Sequence, residues 1–486
     1  MMATTKTKQT GTPEDSVTRR NINHLPSELL HMICVYLEPR DIATIRVLDR
    51  IIAEVGLQYL VSQIHLIPKP DSFDRLLAVA EHPLASRYVN SLFYEADLLR
   101  SFRHPQEDRE LWEKSLVGPS HASPLEEVQD PHFASACGHL PKRYNRGTSA
   151  VVLSHQQHYT KRELQRAYQT YRSYRAEQHR LNESAAYEEA MVRAMKRLPH
   201  LTSILISCER GNTNHFRAAF EAGLCEDVTS DPRMADQICA SQLSLLLSAA
   251  DKAGLQIKKL VCGSLGQIFL SCSLERLDAM QRSIQSLHNL HLFFSHIPVG
   301  FDSNAASNPH GSSSARADNM QFAMSAPNLE TLSIRFDKDR ALDPPDLKHL
   351  VSDFHWSYLA SATFAKMSTG SEILVGFCDR HAGTLKDLSL TDISLYSGRW
   401  ATTFYEMRQR LKLDKMALAG IIQSVEGDYW NFEIGDHTTK LMIERYIAYS
   451  DESQRDLSLG RFIMDFRQAL AKRWAPHRPS GLSAVA

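Results

Sequence analysis

One six-residue phrase, apolar-x-x-apolar-x-apolar, recurs along the chain and constrains its fold more than any other feature. It appears as VSQIHL from Val61, VNSLFY from Val89, LTSILI from Leu201, IKKLVC from Ile257 and LHNLHL from Leu287. It returns as LETLSI from Leu329, LASATF (a poor copy) from Leu359, LKDLSL from Leu385 and LDKMAL from Leu413. The first two starts are 28 residues apart, Ile257 and Leu287 are 30 apart, and the last four are separated by 30, 26 and 28. Helix-like runs such as DSFDRLLAVAEHPLASRY and DPPDLKHLVSDFHWSYLA lie between phrases. Strand, helix, strand at this pitch predicts an α/β fold of parallel strands joined by crossovers. A single strand–helix unit cannot bury its own apolar face, and stacking supplies the missing neighbour.

Ahead of the phrases stands NHLPSELLHMICVYLEPRDIATIRVLDR, residues 23–50. Pro26 suits the first turn of a helix, where its missing N–H goes unused. Leu29, Ile33 and Leu37 follow at four-residue spacing with Leu30 beside them, which predicts one apolar stripe. Pro39 is expected to end that helix, and Asp41 to cap a second carrying Ile42, Ile45 and Leu48. Asp49 is expected to cap a third with Ile51, Ile52 and Val55, ended by Gly56. Three such helices are too few for a generous core, and the surplus of apolar positions points to a partner or a neighbouring domain.

LPSELLHMICVYLEPRDIATIRVL resembles an F-box. Leu25, Pro26, Glu28, Leu29, Ile33, Leu37, Asp41, Ile42, Ile45 and Val47 match that family's pattern. Asp49-Arg50-Ile51-Ile52 departs from it where Ser-Arg-x-Trp/Phe is usual. The resemblance implies docking on the Skp-type adaptor subunit of a cullin–RING ubiquitin ligase, and through that subunit on cullin. The implied contact set is Leu25, Pro26, Glu28, Leu29, Ile33, Leu37, Ile42, Ile45 and Val47. Glu28 is equally read as a first-turn carboxylate favoured by the helix dipole. The phrases and their pitch resemble leucine-rich repeats, and RLPHLTSILIS and SAPNLETLSIRF look like the leucine-rich turns of fungal F-box proteins. The asparagine ladder of regular leucine-rich repeats is absent.

The expected organisation is therefore a disordered tail over 1–21, an F-box over 22–58 and an irregular leucine-rich-repeat-like curved solenoid over 59–449. An insertion over 97–159, a long helix over 160–197 and a flexible loop over 301–319 interrupt it, and 450–486 forms a C-terminal helix and tail. Thr160 and Glu163 make a capping box for the long helix. Its stripe of Leu164, Ala167, Tyr168, Tyr171 and Tyr174 could stack RNA bases, but is more simply a helix face packed on its own domain. A second helix through ADQICASQLSLLLSAADKAG ends at Gly254. The basic end of LSLGRFIMDFRQALAKRW fits a helix C-terminus better than a membrane anchor.

Composition narrows the partners. The formal net charge is −1, so no global basic field draws nucleic acid or acidic membrane. No run of about 18 apolar residues occurs and the first residues lack the apolar core of a secretory signal. The eight cysteines form no C-x-x-C pair, which predicts reduced, mostly buried thiols in a reducing compartment, the cytoplasm and/or nucleus. No G-x-S-x-G, P-loop, G-x-G-x-x-G or H-E-x-x-H motif occurs. His155 with His158, His288 with His291, and Cys137 with His132 and His139 lack the further ligands a metal needs. No catalytic residue, metal or cofactor is assigned.

The reading is an adaptor of an SCF-type (Skp–cullin–F-box) ligase that binds the Skp subunit through the F-box and an unidentified protein substrate through the repeats. Glu330, Thr331, Ser333, Lys386, Asp387 and Ser389, beside the repeat leucines, are candidates for that contact. The alternative is a non-ligase repeat scaffold or sensor whose F-box-like helices serve as a cap or bind another partner.

Overall fold

A computed structural model of the 486-residue chain describes residues 25–96, 161–183, 185–207, 232–266, 274–296, 325–336, 346–351, 354–433 and 437–448. The expected tail 1–21, insertion 97–159, loop 301–319 and C-terminal segment 450–486 lie outside the described residues. So do His155 with His158, Cys137 with its two histidines, and the side chains of Leu164, Ala167, Tyr171 and Tyr174. The chain divides into two compact units, Met1–Ser62 and Gln63–Ala486.

The first unit holds three helices, α1 (Ser27–Tyr36), α2 (Pro39–Ile45) and α3 (Arg50–Val61). Pro26 is the N-cap of α1, and its carbonyl accepts the amides of Leu29 and Leu30. Pro39 begins α2 rather than ending α1, and Asp41 sits inside its first turn rather than at the cap. Proline has no N–H to lose at a first helical position, so the same residue that bars α1 from continuing starts α2. Asp49 caps α3 as expected, its carboxylate accepting the amides of Ile51 and Ile52. Gly56 does not stop α3. A Cβ there would stand 2.8 Å from Arg46 Cγ and 2.9 Å from Ile42 Cγ2, so the glycine is where α2 and its exit turn press closest on α3. Leu30, Cys34, Ile42, Ile52 and Val55 form the core, flanked by Leu25, Leu37, Ile45, Tyr59 and Leu60.

In the second unit all nine phrases contain strands. They are β1 (Gln63–Leu66), β2 (Ser91–Glu95), β3 (Ser203–Ser207), β4 (Lys259–Gly266), β5 (Asn289–His296), β6 (Thr331–Phe336), β7 (Ser361–Gly370), β8 (Asp387–Ser397) and β9 (Lys415–Ala419). Each is parallel to the next in sequence, and β10 (Ile421–Ser424) and β11 (Tyr429–Asn431) complete an open sheet. The register is uniform. The third residue of every phrase pairs with the third of the next, from Gln63 and Ser91 through Asp387 and Lys415. From the entry to β2 onward, one carbonyl accepts two amides at the start of the following strand. Asn90 accepts Thr202 and Ser203, Thr202 accepts Lys258 and Lys259, and the pattern continues to Lys386 with Asp414 and Lys415.

Helices occupy the crossovers: α4 (Pro70–Glu81), α5 (Ala85–Tyr88), α6 (Lys161–Glu183), α7 (Ala185–Met195), α8 (Pro232–Ala253), α9 (Leu274–Ser283), α10 (Lys348–Val351), α11 (Ser371–Arg380) and α12 (Trp400–Arg410); α13 (His437–Ala448) follows the last strand. The long helix expected over 160–197 is α6 followed by α7. The expected stop at Gly254 holds, with that glycine at φ +70° just beyond α8. Crossovers between strands adjacent in both sequence and sheet set the helices on one face when all share one hand. The sixth residues of the phrases meet them there. Tyr94 donates to Gln242 of α8 at 3.2 Å, and Phe364 packs edge-on to Phe377 of α11 at 5.2 Å. From β2 to β9 the first, fourth and sixth phrase residues are all buried.

The last repeats lengthen beyond the phrase. Lys366, Asp392 and Gly420, each the eighth residue counted from its phrase start, have φ of 59°, 52° and 62°. Two side-chain-bearing residues in the left-handed region side by side mark a shared kink. The Asp392 carboxylate accepts the Ile421 amide at 2.8 Å and fills the space a Gly420 side chain would need. Past the kink, β8 pairs with β10. The outer strand β9 has its Leu418 amide bound by Glu444 of α13 at 2.7 Å, which occupies a group that an exposed sheet edge would offer to another chain.

Candidate functional site

Helix α1 is apolar on two sides. Leu30 and Cys34, one turn apart, are buried in the core of the first unit, with Ile33 and Leu37 half-buried on the same side. Leu29, Met32 and Tyr36, at i, i+3 and i+7, share the other side and are exposed, with Val35 beside them. The single stripe expected from the sequence is thus two faces, and Leu29 belongs to the outer one. Exposed apolar residues also mark the α2–α3 turn, at Val47 and Leu48, and the first turn of α3, at Ile51.

The nine residues implied by the F-box resemblance separate on this geometry. Pro26, Glu28, Leu29 and Val47 are exposed, Leu29 at 42% and Val47 at 83%. Leu25, Ile33, Leu37 and Ile45 are half-buried. Ile42, at 2% exposure, is a core residue and presents no surface. Met32, Val35, Tyr36, Leu48 and Ile51 were absent from that set. The signal for three of them lay in helical spacing from Leu29, which puts Met32 and Tyr36 on its side and Val35 next to it.

The unit is held by polar contacts that leave this outer face alone. Tyr59 on α3 donates its hydroxyl to the His31 carbonyl at 3.1 Å, and His31 Nδ1 is also 3.1 Å from the Tyr59 hydroxyl. Arg46 Nε donates to the Ala53 carbonyl at 3.1 Å. Burial pushes the Cys34 thiol up, away from the thiolate form that nucleophilic chemistry requires. The Cys262 thiol is likewise raised by burial, and that of Cys378 is pushed up to about 12. Among the described residues Cys34, Cys239, Cys262 and Cys378 are free and buried.

On the sheet, the third and fifth phrase residues face away from the helices. Thr331, Ser361, Asp387 and Lys415 form one row there, and Ser333, Thr363, Ser389 and Ala417 the next. Of the candidate substrate contacts, Thr331, Ser333, Asp387 and Ser389 therefore gather on one face. Glu330 and Lys386 stand before the strands and serve the sheet through their carbonyls. His288 and His291 do not share a helix, because His291 is the third residue of β5. His291 is held down to about 4 by burial and by the charges of Lys259 and Arg335. His381, fully buried after α11, is also held down to about 4 by burial. Its Nε2 accepts the Trp356 amide at 3.1 Å, so Nδ1–H donates to the Phe377 carbonyl at 2.9 Å and the ring is a satisfied core group. Among the described residues no cluster of three or more His, Cys, Asp or Glu is placed to hold a metal, and no helix is long and apolar enough to cross a membrane. No family model and no curated protein matches the chain.

Proposed function

We propose that this chain is the substrate-recognition adaptor of an SCF-type ubiquitin ligase. In this reading residues 22–58 are an F-box that docks on the Skp-type subunit, and the repeats form an irregular leucine-rich-repeat-like solenoid that takes a protein substrate. The observation that carries it is the outer face of α1, where Leu29, Met32, Val35 and Tyr36 are exposed on a helix whose other side already fills a core. Burying one large apolar side chain contributes about 1.5–3 kcal/mol. Four such anchors, with the exposed Val47, Leu48 and Ile51, offset an association cost of about 4–15 kcal/mol only if the partner supplies a matching apolar groove. The register-locked strands give the second unit a rigid face on which a substrate can be held. Catalysis then consists of proximity, raising the concentration of a substrate lysine near the ubiquitin thioester.

The test is capture of a purified Skp-type subunit by the full chain. The wild type is expected to bind, and Leu29→Asp with Met32→Asp is expected to abolish binding while the melting curve stays unchanged. Equal capture by the double variant, or none by the wild type, would leave the repeat scaffold as the better account.

A further inference from the structure

Among the described residues Glu95 is the only buried carboxylate, at 2% exposure. It is the last residue of β2 and lies on the face turned away from the helices, beside Ser207 of β3. Its Oε2 is 3.0 Å from Nε2 of His65 on β1. The His65 ring stacks on Phe93 with centroids 4.9 Å apart and planes 19° apart. Oε1 of Glu95 is buried and has no hydrogen-bond partner among the described residues. A carboxylate withdrawn from water is ordinarily satisfied on both oxygens, so an oxygen left without a donor calls for a ligand. The His65 side chain is 28% exposed, against 2% for Glu95, so of the two it is the imidazole that meets solvent.

We propose that the His65–Glu95 pair is a recognition site for a cationic side chain, arginine or lysine, presented by the protein substrate. It rests on the reading of the second unit as the substrate-binding part. A carboxylate oxygen accepts, so a ligand to Oε1 must donate. An ammonium or guanidinium supplies donor and charge together, and a charge-assisted hydrogen bond is stronger than a neutral one. A metal ion fits poorly, since one carboxylate and one imidazole provide only two ligands and no third is at hand among the described residues.

The test is a titration of the full chain with blocked Gly-Arg-Gly, Gly-Lys-Gly and Gly-Gln-Gly peptides, following the ring signals of His65, assigned through His65→Gln. The arginine and lysine peptides are expected to move the His65 signals saturably and the glutamine peptide to leave them in place. Glu95→Gln should weaken the effect by about tenfold or more, as loss of a charged acceptor does. Should that variant fail to fold, Glu95→Asp, which shortens the reach by one methylene, is expected to show the same loss. No saturable shift, an equal shift with the glutamine peptide, or undiminished binding by the folded variant overturns the proposal. So does an experimental map showing a trapped water only at Oε1 while the arginine peptide is present. Capture of the Skp-type subunit is measured alongside and is expected to be unaffected by Glu95→Gln, so failure of the adaptor reading registers separately.

Discussion

The two units handle apolar side chains in opposite ways. In the sheet unit the first, fourth and sixth phrase residues disappear behind crossover helices, and Leu287, Leu290, Leu329, Leu332 and Leu390 have no exposure at all. In the helical unit, seven of the fourteen large apolar side chains exposed among the described residues fall between Leu29 and Ile51. A repeat provides each apolar face with a neighbour of the same shape. Three short helices have no such neighbour of their own, and a core of five residues cannot take in both faces of α1. Apolar content alone therefore says little about function, whereas apolar content without a partner in its own unit points outward.

Four substitutions or conditions probe this contrast. Phe364→Ala in the sheet unit removes a fully buried ring packed on Phe377 and is expected to destabilise that unit by about 3–5 kcal/mol in denaturant unfolding. Acid comes next. His381 is held down to about 4 in the folded chain, below an unfolded value of about 6.5, so folding excludes its proton. The stability this neutral histidine supports is complete above pH ~6.5 and is lost as pH falls toward 4, by up to about 3 kcal/mol. His291 moves in the same direction. Melting of the sheet unit should thus worsen between pH 6.5 and 4, and His381→Asn should flatten that dependence. Within the helical unit, Asp49→Ala removes the cap of α3 and should cost about 1 kcal/mol, read from the helical signal on heating. The smallest change is expected at Leu29→Ala with Met32→Ala, within about 0.5 kcal/mol of wild type, because both side chains already face solvent. A loss as large as that of Phe364→Ala would mean that the outer face is structural.

Much of the sheet was legible from the phrases, poor copy LASATF included, because a strand's fate depends on a short alternation and on a neighbour with the same alternation. The kinks at Lys366, Asp392 and Gly420 left no such mark, since only one of the three is glycine and the left-handed geometry is shared across strands. The strands β10 and β11 carry no such phrase either, being short and dependent for pairing on β8 and on each other. In the first unit three helices were visible, but Pro39 and Gly56 misled. Both are helix breakers by propensity, and both are used here for what they lack, an N–H at a first position and a Cβ at a crossing. Glu95 gave no signal, because nothing in VNSLFYE tells that its seventh residue would be buried beside His65.

The sequence by itself determined the strand phrases, their parallel order, the helical start and an apolar surplus in the first fifty residues. These follow from periodicity, which is local and additive. Only the tertiary structure decided which side of α1 the surplus lies on, that Ile42 is core while Val47 is surface, and that one carboxylate oxygen is buried without a donor. Those outcomes depend on which side chains compete for the same small interior, and that competition is settled between elements far apart in the chain.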